Sequence, residues 1–277
     1  IISSLLAPDL GGYSIVESMS QSNCILIFCG VLLTSTLGCL ISFQLPIFLN
    51  ELNKEDLTYY LKGVVYGIVG LLPVLIVCGF LLQIDHFMIS FLPAICICAI
   101  LIGLFFLSFH TLIVVLTIFS RIVQIAGYIF FFLVCMTFFF NMGFTNTTLI
   151  NEALRIVFQM SIIVSGSLVF CEIVLRKFSK QIEKIGEILQ IDKYSVMGII
   201  LSFGTSIAML PLFSKMNRKG KILNAAFSLS GAFVFGGQLG FIAGVNPGSI
   251  TWFVVVKLVA GIAGLLIANM CEKRNLA

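Results

Sequence analysis

The chain has 277 residues, of which 60% are hydrophobic and only 10% are charged, and its mean hydropathy is +1.15. Soluble domains carry about 25% charged residues, so this composition excludes an ordinary soluble domain and indicates a membrane protein. The net charge of +4 lies mainly in loops, which argues against nucleic acid as a partner.

Apolar segments of transmembrane length recur along the chain and predict an all-α, polytopic transmembrane helix bundle that forms one transport domain over residues 1–277. Residues 110–120 are predicted to be an apolar connector. Residues 176–195 have apolar positions at helical spacing between charges and are predicted to form an amphipathic surface helix. The predicted spans are residues 24–45, 61–83, 87–109, 121–142, 153–175, 222–241 and 250–271.

The first unusual segment is LLAPDLGGYS, residues 5–14, which places Asp9 between a proline and a pair of glycines. Proline and glycine disfavour a regular helix, so the segment is predicted to be a broken span. A carboxylate inside a membrane costs about 2.5–3.5 kcal/mol, which makes Asp9 a candidate binding residue. The alternative is a structural role, as a helix N-cap or as the partner of a buried base such as Lys257. Because the chain starts at Ile1 without a signal-peptide pattern, we expect further sequence upstream.

The second unusual segment, SVMGIILSFGTSIAMLPLFSKM, is long enough to cross the membrane but is interrupted by Gly204 and Pro211. The loops on both sides of it and the C-terminus are rich in lysine and arginine, so all three are predicted to be cytoplasmic. One complete crossing cannot join two cytoplasmic loops. Residues 195–213 are therefore predicted to form a re-entrant hairpin with its tip at residues 202–206. The alternative is an ordinary transmembrane helix with one basic loop outside.

The third unusual segment is AFVFGGQLGFIAG, residues 232–244, in which glycines surround Gln238. It repeats the arrangement of the first segment, and aligning Leu10 with Leu239 places Asp9 opposite Gln238. Paired glycine-interrupted segments are typical of a carrier whose solute site lies near the membrane midplane. The predicted substrate-binding residues are Asp9, Gly11, Gly12, Tyr13, Ser202, Thr205, Ser206, Gly236, Gln238 and Gly240.

Other polar and small residues in the spans have functional and structural interpretations. Lys257, near the middle of the last span, is predicted to be an ion-pair or coupling residue, with snorkelling to an interface as the alternative. The serine and threonine hydroxyls have the alternative of bonding to their own backbone. Gly63 and Gly67 are predicted to form a helix-packing face.

Catalysis is not expected, because the sequence contains neither an HExxH nor a GxSxG motif. Asp56, Asp85 and Asp192 are predicted to lie in loops, which leaves Asp9 without a second intramembrane aspartate. No cofactor or metal is predicted.

Three motifs resemble the EutH family of ethanolamine-utilisation transport proteins. They are LLAPDLGGYS, residues 217–245 (NRKGKILNAAFSLSGAFVFGGQLGFIAGV) and residues 257–262 (KLVAGI). The resemblance implies an inner-membrane protein that takes up ethanolamine for breakdown, and that the N-terminal part of a family member is absent. The expected partners are ethanolamine and membrane lipid, and a homo-oligomer is compatible with the sequence. The positive-inside pattern predicts a cytoplasmic C-terminus.

The chain departs from the family pattern at two places. Pro8 stands where the family typically has Asn, and Gly237 and Gln238 stand where it typically has Asp and His. The missing acid and histidine leave open an ion-coupled carrier of another small polar metabolite. A membrane receptor or structural subunit that binds a solute without moving it is the alternative from a different class.

Overall fold

The computed structural model describes residues 11–20, 22–85, 87–140, 142–143 and 176–274, with isolated positions between 150 and 173. Regular secondary structure in this part of the chain is entirely helical, which confirms the predicted all-α fold. Asp9 and most of the predicted span 153–175 lie outside the described residues. The helices are α1 (Gly11–Met19), α2 (Asn23–Glu51), α3 (Lys54–Leu81), α4 (Phe87–Leu107), α5 (Phe109–Phe140), α6 (Ser179–Leu189), α7 (Lys193–Ser202), α8 (Leu210–Phe213), α9 (Arg218–Gly231), α10 (Gly237–Val245) and α11 (Ile250–Arg274).

Within the described residues, four helices are long and apolar enough to cross a membrane, namely α2, α3, α5 and α11. Helix α4, with 21 residues, is also strongly apolar. These helices occupy the sequence of five predicted spans and confirm a transmembrane helix bundle.

Helix α2 is the most deeply buried of the four long apolar helices. Every side chain in residues 27–40 is buried, and a helix that is apolar on all faces is expected in the interior. Its segment Leu26–Gly38 is π-helical, and the N–H of Cys39 donates to the carbonyl of Thr34 five residues earlier.

Helices α3, α9 and α11 pack closely because glycines line their contacts. A Cβ on Gly63 would overlap the carbonyl oxygen of Ile222, and a Cβ on Gly67 would lie 2.8 Å from the carbonyl oxygen of Ala226. A Cβ on Gly261 would lie 2.8 Å from the Cα of Gly231. The predicted packing face at Gly63 and Gly67 is confirmed, and its partner is α9.

Helix α5 lies at the periphery of the described structure and corrects one prediction. Residues 110–120 are its first three turns, so the predicted connector is wrong. No proline or glycine interrupts the chain between His110 and Gln124, so nothing ends the helix there. Most of its most apolar window is exposed, including Phe130 and Phe132, as expected of a helix that faces lipid.

The predicted span 222–241 contains the predicted interruption, because the helix stops after Gly231 and restarts as α10 at Gly237. Residues 195–213 are likewise interrupted, since α7 ends at Ser202 and a short 3-10 turn, Ser206–Met209, leads into α8. Each of the two segments therefore contains a helix break.

The hairpin segment begins and ends at the same place in the protein. Asp192 caps α7 by accepting from the N–H of Tyr194 at 2.8 Å, and it also accepts from the N–H of Asn217 at 2.6 Å. Asn217 is the N-cap of α9, so the chain returns after α8 to where α7 started. This path has the shape of a hairpin, and the membrane side on which it opens stays a prediction.

Two ion pairs join α3 to its neighbours near the start of α9. Asp56, predicted to lie in a loop, is instead a buried residue in the first turn of α3, where Asn53 caps the helix. Its carboxylate pairs with Lys221 of α9. Lys62 pairs with Glu272 of α11 at 2.6 Å.

We expect Asp56→Asn to destabilise the protein. Removing one partner of a buried ion pair leaves the other charge without compensation, which typically costs about 3–5 kcal/mol. The melting temperature in detergent should fall clearly below that of the unmodified protein. Glu55→Gln is the matched control, because Glu55 is the exposed neighbour of Asp56 and its loss removes the same charge. Equal melting temperatures for the two variants would contradict the structural role of Asp56.

Candidate functional site

The two helix breaks meet each other and form the centre of the candidate site. The N–H of Phe233 donates to the carbonyl of Ser202, and the N–H of Phe235 donates to the carbonyl of Phe203, both at 2.9 Å. These bonds satisfy backbone groups that the breaks release, as the interior of a membrane protein requires. The rings of Phe203 and Phe235 also stack, with their centroids 5.8 Å apart.

Backbone geometry at the crossing is tight. A Cβ on Gly236 would overlap the carbonyl oxygen of Gly204, so only a glycine allows the two breaks to approach this closely. Phe233 has φ of 64°, a left-handed conformation that is rare for a bulky residue. Such strain persists only where the surrounding structure holds it, and it is concentrated at functional sites.

The hydroxyl groups near the breaks fall into two classes. Ser202 Oγ donates to the carbonyl of Gly198 at 2.8 Å, and Ser228 Oγ donates to the carbonyl of Ala225 at 3.1 Å, so both bond to their own helix. Ser206 Oγ and Ser230 Oγ are buried and have no hydrogen-bond partner among the described residues. These two hydroxyls therefore have unused hydrogen-bonding capacity in the interior.

Lys257 is buried between three elements. Its side chain, on α11, is 1% exposed, so snorkelling to an interface is ruled out. The ammonium donates to the carbonyl of Ser35 at 2.8 Å and to Oε1 of Gln238 at 2.9 Å. It also lies 5.2 Å from the ring centroid of Phe253, within the range of a cation–π contact. Lys257 therefore links α11 to the π-helical part of α2 and to the first turn of α10.

Tyr13 joins the N-terminal segment to the same region. Its buried ring meets the ring of Phe241 edge to face, with centroids 5.9 Å apart, so α1 contacts α10. It also packs on α2, where a Cβ on Gly30 would lie 3.3 Å from Tyr13 Cδ2. The two segments that share a sequence pattern thus lie against one another.

The backbone at several predicted site residues is more regular than expected. Gly11 and Gly12 are helical in the first turn of α1 and Gly240 lies inside α10, so the backbone is not interrupted at these glycines, whereas Gly236 lies in a break. Residues 5–10 of the predicted broken span lie outside the described residues. Thr205 is the N-cap of the 3-10 turn and accepts from the N–H of Ile207 at 3.3 Å.

Sequence reasoning missed several groups that complete the region. The carbonyl of Ser35 belongs to an unbroken apolar stretch, and Phe253 is one aromatic residue among many, so neither carries a sequence signal. Nothing in the sequence distinguishes Ser230 from the other serines of the spans. Gln44, whose Nε2 donates to the carbonyl of Ser228 at 3.2 Å, is a polar residue close to a proline in an apolar span, which is a signal that sequence analysis can use.

Comparison with known proteins gives matches along nearly the whole chain. A family model described as "Ethanolamine utilisation protein, EutH" matches residues 1–271. A protein named "Probable ethanolamine permease EutH" from Listeria monocytogenes is 31% identical, with 99% of this chain and 75% of the relative covered. A relative of the same name from Salmonella typhimurium is 25% identical over 98% of this chain and 73% of its own length. "Uncharacterized protein YxeR" from Bacillus subtilis is 26% identical over 93% of this chain and 70% of its own length. No solved structure gives a significant match.

We expect Gly236→Ala to destabilise the protein and Gly237→Ala to leave it as stable or slightly more stable. The first methyl group would overlap the backbone of Gly204 and force the breaks apart, and overpacking of this kind costs about 1–3 kcal/mol. A Cβ on Gly237 would have no atom within 4 Å. Gly237 lies at the start of α10, where alanine favours the helix more than glycine does. Thermal unfolding in detergent compares the two variants. Equal stability would show that the close contact between the breaks is dispensable.

Proposed function

The chain belongs to the EutH family of ethanolamine utilisation proteins, and from this membership we propose that it carries ethanolamine across the bacterial cell membrane. The family and the apolar helices indicate a multi-pass membrane protein that acts as a transporter. The relatives named as probable permeases support a transport role for this chain as well. The proposed activity is transport of the solute without chemical conversion.

The crossing of the two breaks is the observation that carries this proposal. Interrupted helices that meet inside a bundle are the usual setting for a solute site in a secondary transporter. Here the breaks bring the unpartnered hydroxyls of Ser206 and Ser230 into the interior, and Gln238 follows directly after the second break. Hydroxyl and amide groups of this kind suit the hydroxyl end of an amino alcohol.

The ammonium end of ethanolamine calls for negative charge and an aromatic face. Asp9 lies outside the described residues, but it precedes the start of α1 by only two positions in the sequence. We assign its carboxylate to the substrate ammonium, because a charge retained in such an apolar segment is expected to be functional. Tyr13 is buried one turn into α1 and offers a ring for cation–π attraction.

The remaining predicted binding residues have shaping roles in this proposal. The carbonyl groups of residues 202–206 and the backbone of Gly236 form the wall of the site at the crossing. Gly11, Gly12 and Gly240 leave room beside it, since glycine adds no side chain. Thr205 holds the hairpin tip in place through its N-cap bond.

We expect Asp9→Asn to abolish saturable uptake of labelled ethanolamine. The change removes the negative charge while keeping the size of the side chain, so the ammonium loses its charged partner. The measurement is uptake into proteoliposomes that contain only this protein. Asp85→Asn is the matched control, since it removes the same charge from an exposed position. Undiminished uptake by the Asp9 variant would remove Asp9 from the site.

The same proteoliposomes separate the proposal from its alternatives. A panel of other small amines and polar metabolites tests whether the exchange of Asp and His for Gly237 and Gln238 has changed the solute. If the protein takes up another member of the panel but no ethanolamine, it is a carrier of that other solute. Binding of ethanolamine without flux would favour a receptor.

We also propose that the protein lies in the inner membrane. The start of α6, the loop between α8 and α9 and the C-terminus are assigned to its cytoplasmic side. The basic residues around the hairpin support this side, and the return of the chain at Asp192 and Asn217 supports a shared side for the hairpin ends.

This orientation predicts the labelling of single cysteines in a background without native cysteines. Ser179→Cys and Ser214→Cys should react with an impermeant thiol reagent only from the cytoplasmic side. Asn246→Cys, between α10 and α11, should react only from the outside. Labelling of the Ser214 variant from outside would show that residues 195–213 are a true crossing.

A further inference from the structure

The described contacts of Lys257 include oxygen atoms and a ring face that also bind free cations. The ammonium donates to the backbone carbonyl oxygen of Ser35 and to the side-chain amide oxygen of Gln238, and it lies over the face of the Phe253 ring. Oxygen atoms of this kind are also typical ligands of a metal cation in a protein. In secondary transporters with interrupted helices, backbone carbonyl oxygens close to the interruptions coordinate the coupling ion.

The position of the ammonium within the fold matches that role. Ser35 lies in the π-helical part of α2, Gln238 lies in the first turn after the second break, and Lys257 comes from the unbroken helix α11. A cation at this point holds the second half of the broken helix against two other helices. Here the cation is attached to the chain by the lysine stem and does not have to be captured from solution.

We propose that Lys257 is a tethered cation in the place of a mobile coupling ion, so that transport by this protein requires neither sodium nor potassium. The uptake experiments that test this inference rest on the proposed function, because they measure ethanolamine transport. A tethered cation predicts uptake that needs no sodium or potassium gradient.

Uptake in defined salts tests the proposal. Proteoliposomes with the unmodified protein should take up ethanolamine at the same rate in sodium, potassium or N-methyl-D-glucamine chloride. Lys257→Met keeps an apolar stem of similar length but removes the charge, and should lower uptake in N-methyl-D-glucamine about tenfold, the effect of losing a charge-assisted hydrogen bond. Sodium should restore part of that loss by filling the vacated oxygens, and Lys257→Arg, which keeps the charge, should stay independent of metal cations.

The control is Lys273→Met, which removes a positive charge from an exposed position on the same helix and should behave as the unmodified protein. A strong dependence of unmodified uptake on sodium or potassium overturns the proposal without any variant. Uptake by Lys257→Met that equals the unmodified rate in every salt also overturns it.

Thermal stability tests the same inference without transport. A cation that binds the folded state raises its stability, so sodium should raise the melting temperature of Lys257→Met above its value in N-methyl-D-glucamine but leave the unmodified protein unchanged. If the unmodified protein carries no ethanolamine, the proposed function fails while this measurement still decides the role of Lys257. Stabilisation of the unmodified protein by sodium, or no response of either protein, counts against a tethered cation.

Discussion

Backbone groups that leave a helix inside a membrane must find partners within the protein, because hydrocarbon provides none. The breaks after α7 and α9 meet this requirement together, since N–H groups of residues 233 and 235 donate to carbonyls of residues 202 and 203. The carbonyls of the first break and the N–H groups of the second break are therefore satisfied only when the two breaks meet. The crossing therefore depends on the close approach of Gly204 and Gly236, and the helices around it serve to keep that approach in place.

The first halves of both broken segments are anchored far from the crossing. Asp192 ties the start of α7 to the start of α9, and Asp56 fixes α9 to α3 through Lys221. Between these anchors and the crossing, glycines let α3, α9 and α11 pack at backbone distance. Polar contacts at one end and small-residue packing along the helices thus set where the breaks meet.

The sequence predicts the helical membrane bundle, the helix-packing glycines and the neighbourhood of the breaks, because each has a local signal. Hydropathy shows the spans, spacing shows the packing face, and glycine or proline shows the interruption. Helix limits are less predictable. Residues 110–120 continue a helix because no proline or glycine stops it, Gly240 is helical although glycine is a weak helix former, and Asp56 is buried because a base on a distant helix meets it. Such pairings depend on tertiary contacts that one sequence does not display.

The two halves of the second broken segment are held by different kinds of contact. Helix α9 is fixed by glycine packing against α3 and α11. Helix α10 is held by side-chain contacts that include the Gln238 bond to Lys257, the Tyr13 ring against Phe241 and the fully buried side chain of Ile242. Glycine packing at backbone distance leaves no spare volume, so backbone contacts set the position of α9 and side-chain contacts set that of α10.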